Sequence, residues 1–248
     1  MGVTPLISMR NIVKRFPGVV ANGQVNLDLY AGQIHAILGE NGSGKSTLMS
    51  ILAGLYRPTE GTIEIQGAEK RINSPRDALA CGIGMVHQHF RLIESFTVAE
   101  NIALSKTGGS FLLDEDEITG EIKALGEKYG LTVDPDAYVW QLSVGEKQRV
   151  EILRMLYNDS RVLILDEPTA VLTPQETREL FSNLRNMADN GCAVVFISHK
   201  LNEVEALADR ITVLRNGRVT GSIGREEINQ SKLIEMMIGR DIITAYEK

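Results

Sequence analysis

The residues with the clearest chemistry are Gly39-Glu40-Asn41-Gly42-Ser43-Gly44-Lys45-Ser46-Thr47. They fit G-x-x-x-x-G-K-[ST], the spacing of a loop that cradles phosphate. Gly39, Gly42 and Gly44 admit backbone conformations closed to residues with a Cβ and bring the main chain close to a polyphosphate. Successive N–H groups, those of Asn41 and Ser43 among them, then point at the anion, and a helix opening at Ser46 and Thr47 adds its partial positive charge. Lys45 would reach the β- and γ-phosphates, and the Ser46 hydroxyl would ligate Mg²⁺. The cofactors this pattern calls for are a nucleoside triphosphate and Mg²⁺. Alone, it leaves kinases, GTPases, motors and transporters open.

A second constellation narrows the choice. Val162-Leu163-Ile164-Leu165-Asp166-Glu167-Pro168 is an apolar run ending in two carboxylates. A charged pair at the C-terminal tip of a buried strand is where a doubly wound fold places its site. Asp166 suits a role at Mg²⁺, and Glu167 suits a general base that orients and deprotonates the attacking water.

Positioning these groups takes alternating strands and helices. Gln33–Leu38 reads as the buried strand entering the glycine loop and Ser46–Leu55 as the helix leaving it. Leu6–Phe16 and Val25–Tyr30 read as antiparallel strands ahead of the loop, and Thr62–Gln66 as another. Ser74 caps a short helix with Pro75 at its first position. Ile83–His87 is a strand leading to Gln88. From His89 to about Tyr157 the pattern turns helical and strandless, with helices at Val98–Leu104, Asp114–Tyr129 and Val144–Tyr157 and a loop at Ser105–Ser110. Strand character returns at Arg161–Asp166, followed by a helix Pro174–Asn190, a strand Ala193–Ser198 and a helix Leu201–Ala208. Asn216-Gly217 predicts a type I′ hairpin between Ile211–Arg215 and Arg218–Ser222. A last helix is expected over Arg225–Ile238. The fold class is α/β: a P-loop NTPase (RecA-like) core with a mostly parallel sheet, an N-terminal antiparallel β portion and an inserted helical subdomain.

Composition fits that class. The chain has 248 residues, 43% hydrophobic and 23% charged, with a net charge of −6. No basic block appears, which weighs against nucleic acid as a partner. Cys81 and Cys192 stand alone and suit a reducing compartment. The opening Met1-Gly2-Val3-Thr4-Pro5 lacks a charged segment followed by an apolar run, so no secretory signal is expected. No stretch is long and apolar enough to span a bilayer. If the protein works on a membrane, another chain supplies the channel.

Leu142-Ser143-Val144-Gly145-Glu146, placed before the Asp166-Glu167 strand, resembles the L-S-G-G-Q signature of ATP-binding cassette (ABC) proteins. Ser143 and Gly145 at a helix start would offer a hydroxyl and N–H groups to a γ-phosphate. Gln88, between strand and helical lobe, resembles the family's Q-loop, which carries a catalytic and Mg²⁺-binding glutamine. His199, after the strand Ala193–Ser198, resembles the switch histidine that contacts the γ-phosphate. Phe16 matches the aromatic that stacks on adenine. The resemblance spans the chain, so residues 1–248 are expected to form one ABC ATPase domain. Its RecA-like core would be residues 1–88 and 158–248, and its helical signature subdomain residues 89–157.

More narrowly, Met85-Val86-His87-Gln88-His89-Phe90, Leu142–Glu151 and Asp166–Glu176 resemble the ATPase subunits of simple-sugar and nucleoside importers. Those subunits usually carry two such domains in tandem, and this chain matches the first. The resemblance implies a second ABC ATPase domain as partner, from a tandem half or a homodimer. It also implies transmembrane permease subunits, indirectly a solute-binding protein, no nucleic acid, and a peripheral place on the cytoplasmic face of the membrane. Two residues depart from the family pattern. Val144 replaces the first glycine of the signature, and Thr173 stands where many relatives have an aspartate. Both would face the partner's nucleotide, which implies that the site they complete hydrolyses poorly. Two other readings share the catalytic motifs: a soluble ABC mechanoenzyme on nucleic acid or ribosomes, and a nucleotide switch without turnover.

Overall fold

Two sheets with different jobs form the frame. In this computed structural model, which describes residues 4–106 and 115–238, the first sheet has four strands in the order β2-β1-β4-β5. These are β1 (Ile7–Phe16), β2 (Val19–Leu29), β4 (Glu60–Ile65) and β5 (Ala68–Glu69), all paired antiparallel. The second has six strands in the order β10-β9-β3-β8-β7-β6. They are β3 (Ile34–Leu38), β6 (Ile83–Val86), β7 (Val162–Asp166), β8 (Ala193–Ser198), β9 (Arg210–Arg215) and β10 (Arg218–Gly224). This sheet is parallel except for β10, which returns antiparallel along β9.

The expected N-terminal antiparallel β portion is present and is a sheet of its own. Only β10 joins the parallel sheet at an edge, while β1, β2, β4 and β5 form a sheet of their own. Helix α1 (Lys45–Leu52) lies between the two. Its Leu48, Ile51 and Leu52 are buried with Ile7, Met9 and Ile12 of β1 and with Ile164, Val195 and Ile197 of the parallel sheet. Alternate residues of the same parallel strands, Leu163, Leu165, Val194 and Phe196, point to the opposite face. There they pack with α5 (Val144–Tyr157), α6 (Pro174–Asp189) and α7 (Leu201–Leu207). Burial on both faces is why these strands read as unbroken apolar runs rather than alternating ones.

The remaining helices are α2 (Pro75–Ala80), α3 (Val98–Ala103), α4 (Glu115–Tyr129) and α8 (Gln230–Ile238). Helices α3, α4 and α5 make up the expected helical lobe, and Val98, Ile102, Ile118 and Ile122 join it to the core around Val150 and Leu153. The lobe is not wholly strandless, since Thr97 and Tyr138 form an isolated antiparallel bridge. Ser74 caps α2 as expected, accepting the Asp77 N–H.

Other boundaries moved for identifiable reasons. Strand β2 begins at Val19, not Val25, because bulges interrupt its pairing with β1 and Gln24 sits at φ 56°. The expected last helix is broken into a 3₁₀ turn at Arg225–Glu227 and α8. Asn229 accepts the Ser231 N–H at 2.8 Å and so starts a new helix where a continuous one was expected. Asn216 and Gly217 both have positive φ, as the type I′ turn requires. Residue 114, residues 107–110 of the expected loop, and the chain ends at 1–3 and 239–248 lie outside the described residues.

Candidate functional site

The glycine loop leaves β3 at the C-terminal edge of the parallel sheet and enters α1. Sterics dictate two of its glycines. A Cβ on Gly39 would lie 2.3 Å from the Leu214 carbonyl oxygen of β9, and one on Gly44 would lie 2.3 Å from that of Ala21 on β2. Gly44 also adopts φ 98° as the N-cap of α1. The loop is braced from outside: Gly217 N–H donates to Ser43 O at 3.0 Å, and Asn22 Nδ2 donates to Gly44 O at 3.1 Å. Asn41 and Gly42 are exposed at the tip, Ser43 is buried and Thr47 is half-buried in the first turn of α1.

Lys45 is folded into the loop. Its Nζ donates to the carbonyls of Gly39 and Glu40, each at 2.8 Å, and the residue is only 5% exposed. Burial pulls its pKa down, while Glu167, Asp166 and Glu40 act to hold the proton on. An ammonium already stripped of water and held among the loop carbonyls fits a polyanion entering the loop. Ser46 Oγ donates to Asp166 Oδ1 at 3.3 Å. Burial raises the Asp166 pKa against the pull of the Ser46 hydroxyl. The two oxygens offer a hard cation such as Mg²⁺ the ligands it prefers, with few protein ligands and the rest from phosphate and water.

Glu167 follows Asp166 at the tip of β7. Its backbone is at φ 47°, a left-handed conformation costing roughly 1–2 kcal/mol for a residue with a Cβ. Its N–H donates to Ile197 O at 3.1 Å, which ties the turn to β8. His199, just beyond β8, shares a hydrogen bond with it: Nδ1 to Glu167 Oε1 is 3.1 Å. Adjacent parallel strands thus bring together Lys45, Ser46, Asp166, Glu167 and His199. Gln88 lies in an exposed bend beyond β6.

Phe16 ends β1, half-buried, with Tyr56 edge-on to it at a centroid distance of 5.4 Å and Lys14 Nζ 5.0 Å from its centroid. Tyr56 and Lys14 escaped sequence reasoning. Lys14 lies two residues before Phe16 on the same strand face, which was a readable signal, whereas the approach of Tyr56 depends on the tertiary path after α1.

Ser143 and Gly145 start α5 on a different part of the surface. Ser143 Oγ accepts the Glu146 N–H and the Glu146 carboxylate accepts the Ser143 N–H, a capping box. Val144 is 38% exposed. Gly145 is buried with the Glu176 carboxylate against it: a Cβ there would lie 2.8 Å from Glu176 Oε1. Glu176 in turn caps α6 by accepting the Thr173 N–H and hydroxyl, each at 2.9 Å. Thr173 and the signature therefore meet at one carboxylate, a link invisible in the sequence.

A glycine loop with a buried lysine, between an antiparallel sheet and a parallel one and carrying a helical lobe, defines a nucleotide-binding cassette. The chain belongs to the ABC transporter family, which residues 23–170 match. It is 45% identical to the glucose import ATP-binding protein of Haloferax volcanii, over 98% of this chain and 50% of that protein. It is 48% identical to the nucleoside import ATP-binding protein of Lactococcus lactis subsp. cremoris, over 98% of this chain and 48% of that protein. The chain thus spans about half the length of the curated relatives it matches. A dimeric bacterial ABC transporter cassette superposes with a TM-score of 0.77 at 27% identity, over 90% of this chain and 100% of that one. Family membership implies the use of ATP and Mg²⁺.

Proposed function

We propose that this chain binds and hydrolyses ATP with Mg²⁺ and, paired with a second cassette, energises an importer for a simple sugar or a nucleoside. The observation that carries the reading is the 3.1 Å contact between Glu167 and His199 beside the Ser46–Asp166 pair and the buried Lys45. The phosphates would lie on Gly39–Thr47 with adenine against Phe16. Ser46 and Asp166, with Gln88, would hold Mg²⁺, which supplies charge neutralisation to the phosphates. Glu167 takes the proton of the attacking water, and His199 fixes the Glu167 carboxylate and meets the γ-phosphate. Lys45 stabilises charge on the departing group.

Residues 1–88 and 158–248 are read as the core and residues 89–157 as the lobe that carries the signature. Ser143 and Gly145 then serve the nucleotide of the partner cassette, and ATP holds the pair closed because its contacts to both exist only in that state. With Val144 and Thr173 at this surface, the site on the partner is the slower of the two. The relatives' import functions support permease subunits, a solute-binding protein upstream, and a peripheral station on the cytoplasmic face of the membrane. Among the described residues no helix is long and apolar enough to cross a membrane. Binding of ATP to the purified chain, measured calorimetrically with and without Mg²⁺, tests the core of the reading. Saturable binding that chelation of Mg²⁺ weakens is expected; a loop that takes up no nucleotide at millimolar concentrations overturns it.

A further inference from the structure

The left-handed backbone of Glu167 has to be held in place. Its carbonyl accepts the Ala170 N–H at 3.2 Å, closing a turn over Glu167–Ala170. Lys200 Nζ reaches it at the Thr169 carbonyl, at 3.4 Å, and two further side chains from outside pin it. Gln148, 4% exposed, donates from Nε2 to the Pro168 carbonyl at 3.0 Å. Thr169, buried as well, donates its hydroxyl to the Glu203 carboxylate at 2.7 Å. Glu203 also accepts the Ser198 hydroxyl at 3.1 Å and pairs with Lys200 at 3.0 Å, so it grips both residues that flank His199. Neither Gln148 nor Glu203 has a part in the chemistry described above.

The two pins come from different bodies. Glu203 belongs to α7, which packs on the core sheet. Gln148 belongs to α5, the helix that begins at the signature; Ser143 lies five residues before it, about 7.5 Å along the axis. One rigid helix therefore ends on the surface offered to the partner's nucleotide and, between one and two turns later, hydrogen-bonds the carbonyl next to this chain's own base. We infer that Gln148 is a positioning residue for Glu167, which ties the strained turn of the base to the signature helix. The inference rests on the ATPase reading above. A carbonyl deprived of the Gln148 N–H lets the Glu167 turn relax toward ordinary φ, carrying the carboxylate away from His199.

Gln148→Met keeps the volume and removes the donor. In the assembled ATPase it is expected to lower kcat on the order of 10-fold, with KM for ATP within about twofold of the parent. A role exerted through Glu167 is non-additive with loss of that residue. In a Glu167→Gln background, Gln148→Met should therefore cost nothing further. Full turnover in Gln148→Met, or losses that multiply in the double variant, overturns the inference. Should Gln148→Met fail to fold, Thr169→Val removes the opposite pin and the same cycle is run on it. Failure of the ATPase reading shows separately, as no phosphate release from the assembled parent.

Discussion

The face proposed to hold this chain's own nucleotide and the face proposed to complete its partner's are built on different principles. The first sits at the ends of β3, β7 and β8, three adjacent parallel strands buried on both sides. Its loop is threaded so tightly between β2 and β9 that a methyl group on Gly39 or Gly44 has nowhere to go. The second is made from the first turns of α5 and α6, each closed by a capping box of its own. The same device closes α3 at Thr97 and Glu100, where no role in nucleotide chemistry is proposed. The second face also leaves Val144 and Val171 open to solvent, at 38% and 61% exposure. A site dictated by sheet sterics tolerates few changes. One made of helix caps can drift while the helices persist, and both departures from the family pattern, Val144 and Thr173, fall on it.

That contrast is broken most directly from the first face. Glu167→Gln removes the proposed base while keeping its shape, and ATP binding is expected to persist while turnover falls on the order of 10²-fold or more. Steady-state phosphate release decides it, and normal hydrolysis would remove Glu167 from the role of base. Gly44→Ala should abolish binding of Mg²⁺-nucleotide, because the added carbon meets the Ala21 carbonyl at 2.3 Å. Lys45→Ala should weaken binding and turnover together, since on the proposed reading the buried ammonium serves ground state and transition state alike. Calorimetric titration of both variants separates them: a Gly44→Ala protein that binds like the parent would show that the threading is looser than the geometry states.

The same difference decides what could be read from the chain. Strands β3, β7 and β8 were legible because burial on both faces demands continuous apolar runs, and the charged tip Asp166-Glu167 stands out against one. The glycine loop was legible because its conformations admit so few residue types. Strand β2 was half missed because its first part bends through Gln24 at φ 56°, which no hydrophobic pattern records. The antiparallel N-terminal portion was legible as well; that α1 lies between it and the parallel sheet was not, since apolar residues such as Leu48 and Ile51 do not say what covers them. Second-layer partners such as Gln148, Glu176 and Glu203 were invisible, since a buried polar residue on a helix looks like a surface one until its acceptor is placed. The strain at Glu167 likewise has no sequence signal, because glutamate is not a residue that usually marks positive φ.

On the second face the effects should be smaller. Val144→Gly restores close approach at the signature, and the partner's site in the assembled pair is expected to speed up severalfold while this chain's own site keeps its rate. Equal hydrolysis at both sites of the parent would remove the asymmetry altogether.

The caps give the finest test. Ser143→Ala and Thr97→Ala each break one capping box and should each destabilise the chain by about 1 kcal/mol in denaturant unfolding. Only Ser143→Ala should also slow the assembled ATPase, because only that hydroxyl is proposed to meet a nucleotide. The Glu146 half of the box adds a pH signature. The Ser143 N–H, and then its hydroxyl, hold the Glu146 pKa below the ordinary 4.5. A carboxyl depressed in the folded state contributes stability above its unfolded pKa and loses it as pH falls through the folded value. Glu146→Gln should therefore destabilise at neutral pH and approach the parent as the solution is acidified below 4.5. If the gap stays constant, the box draws its strength from shape rather than charge, and the second face is more rigid than its exposed caps imply.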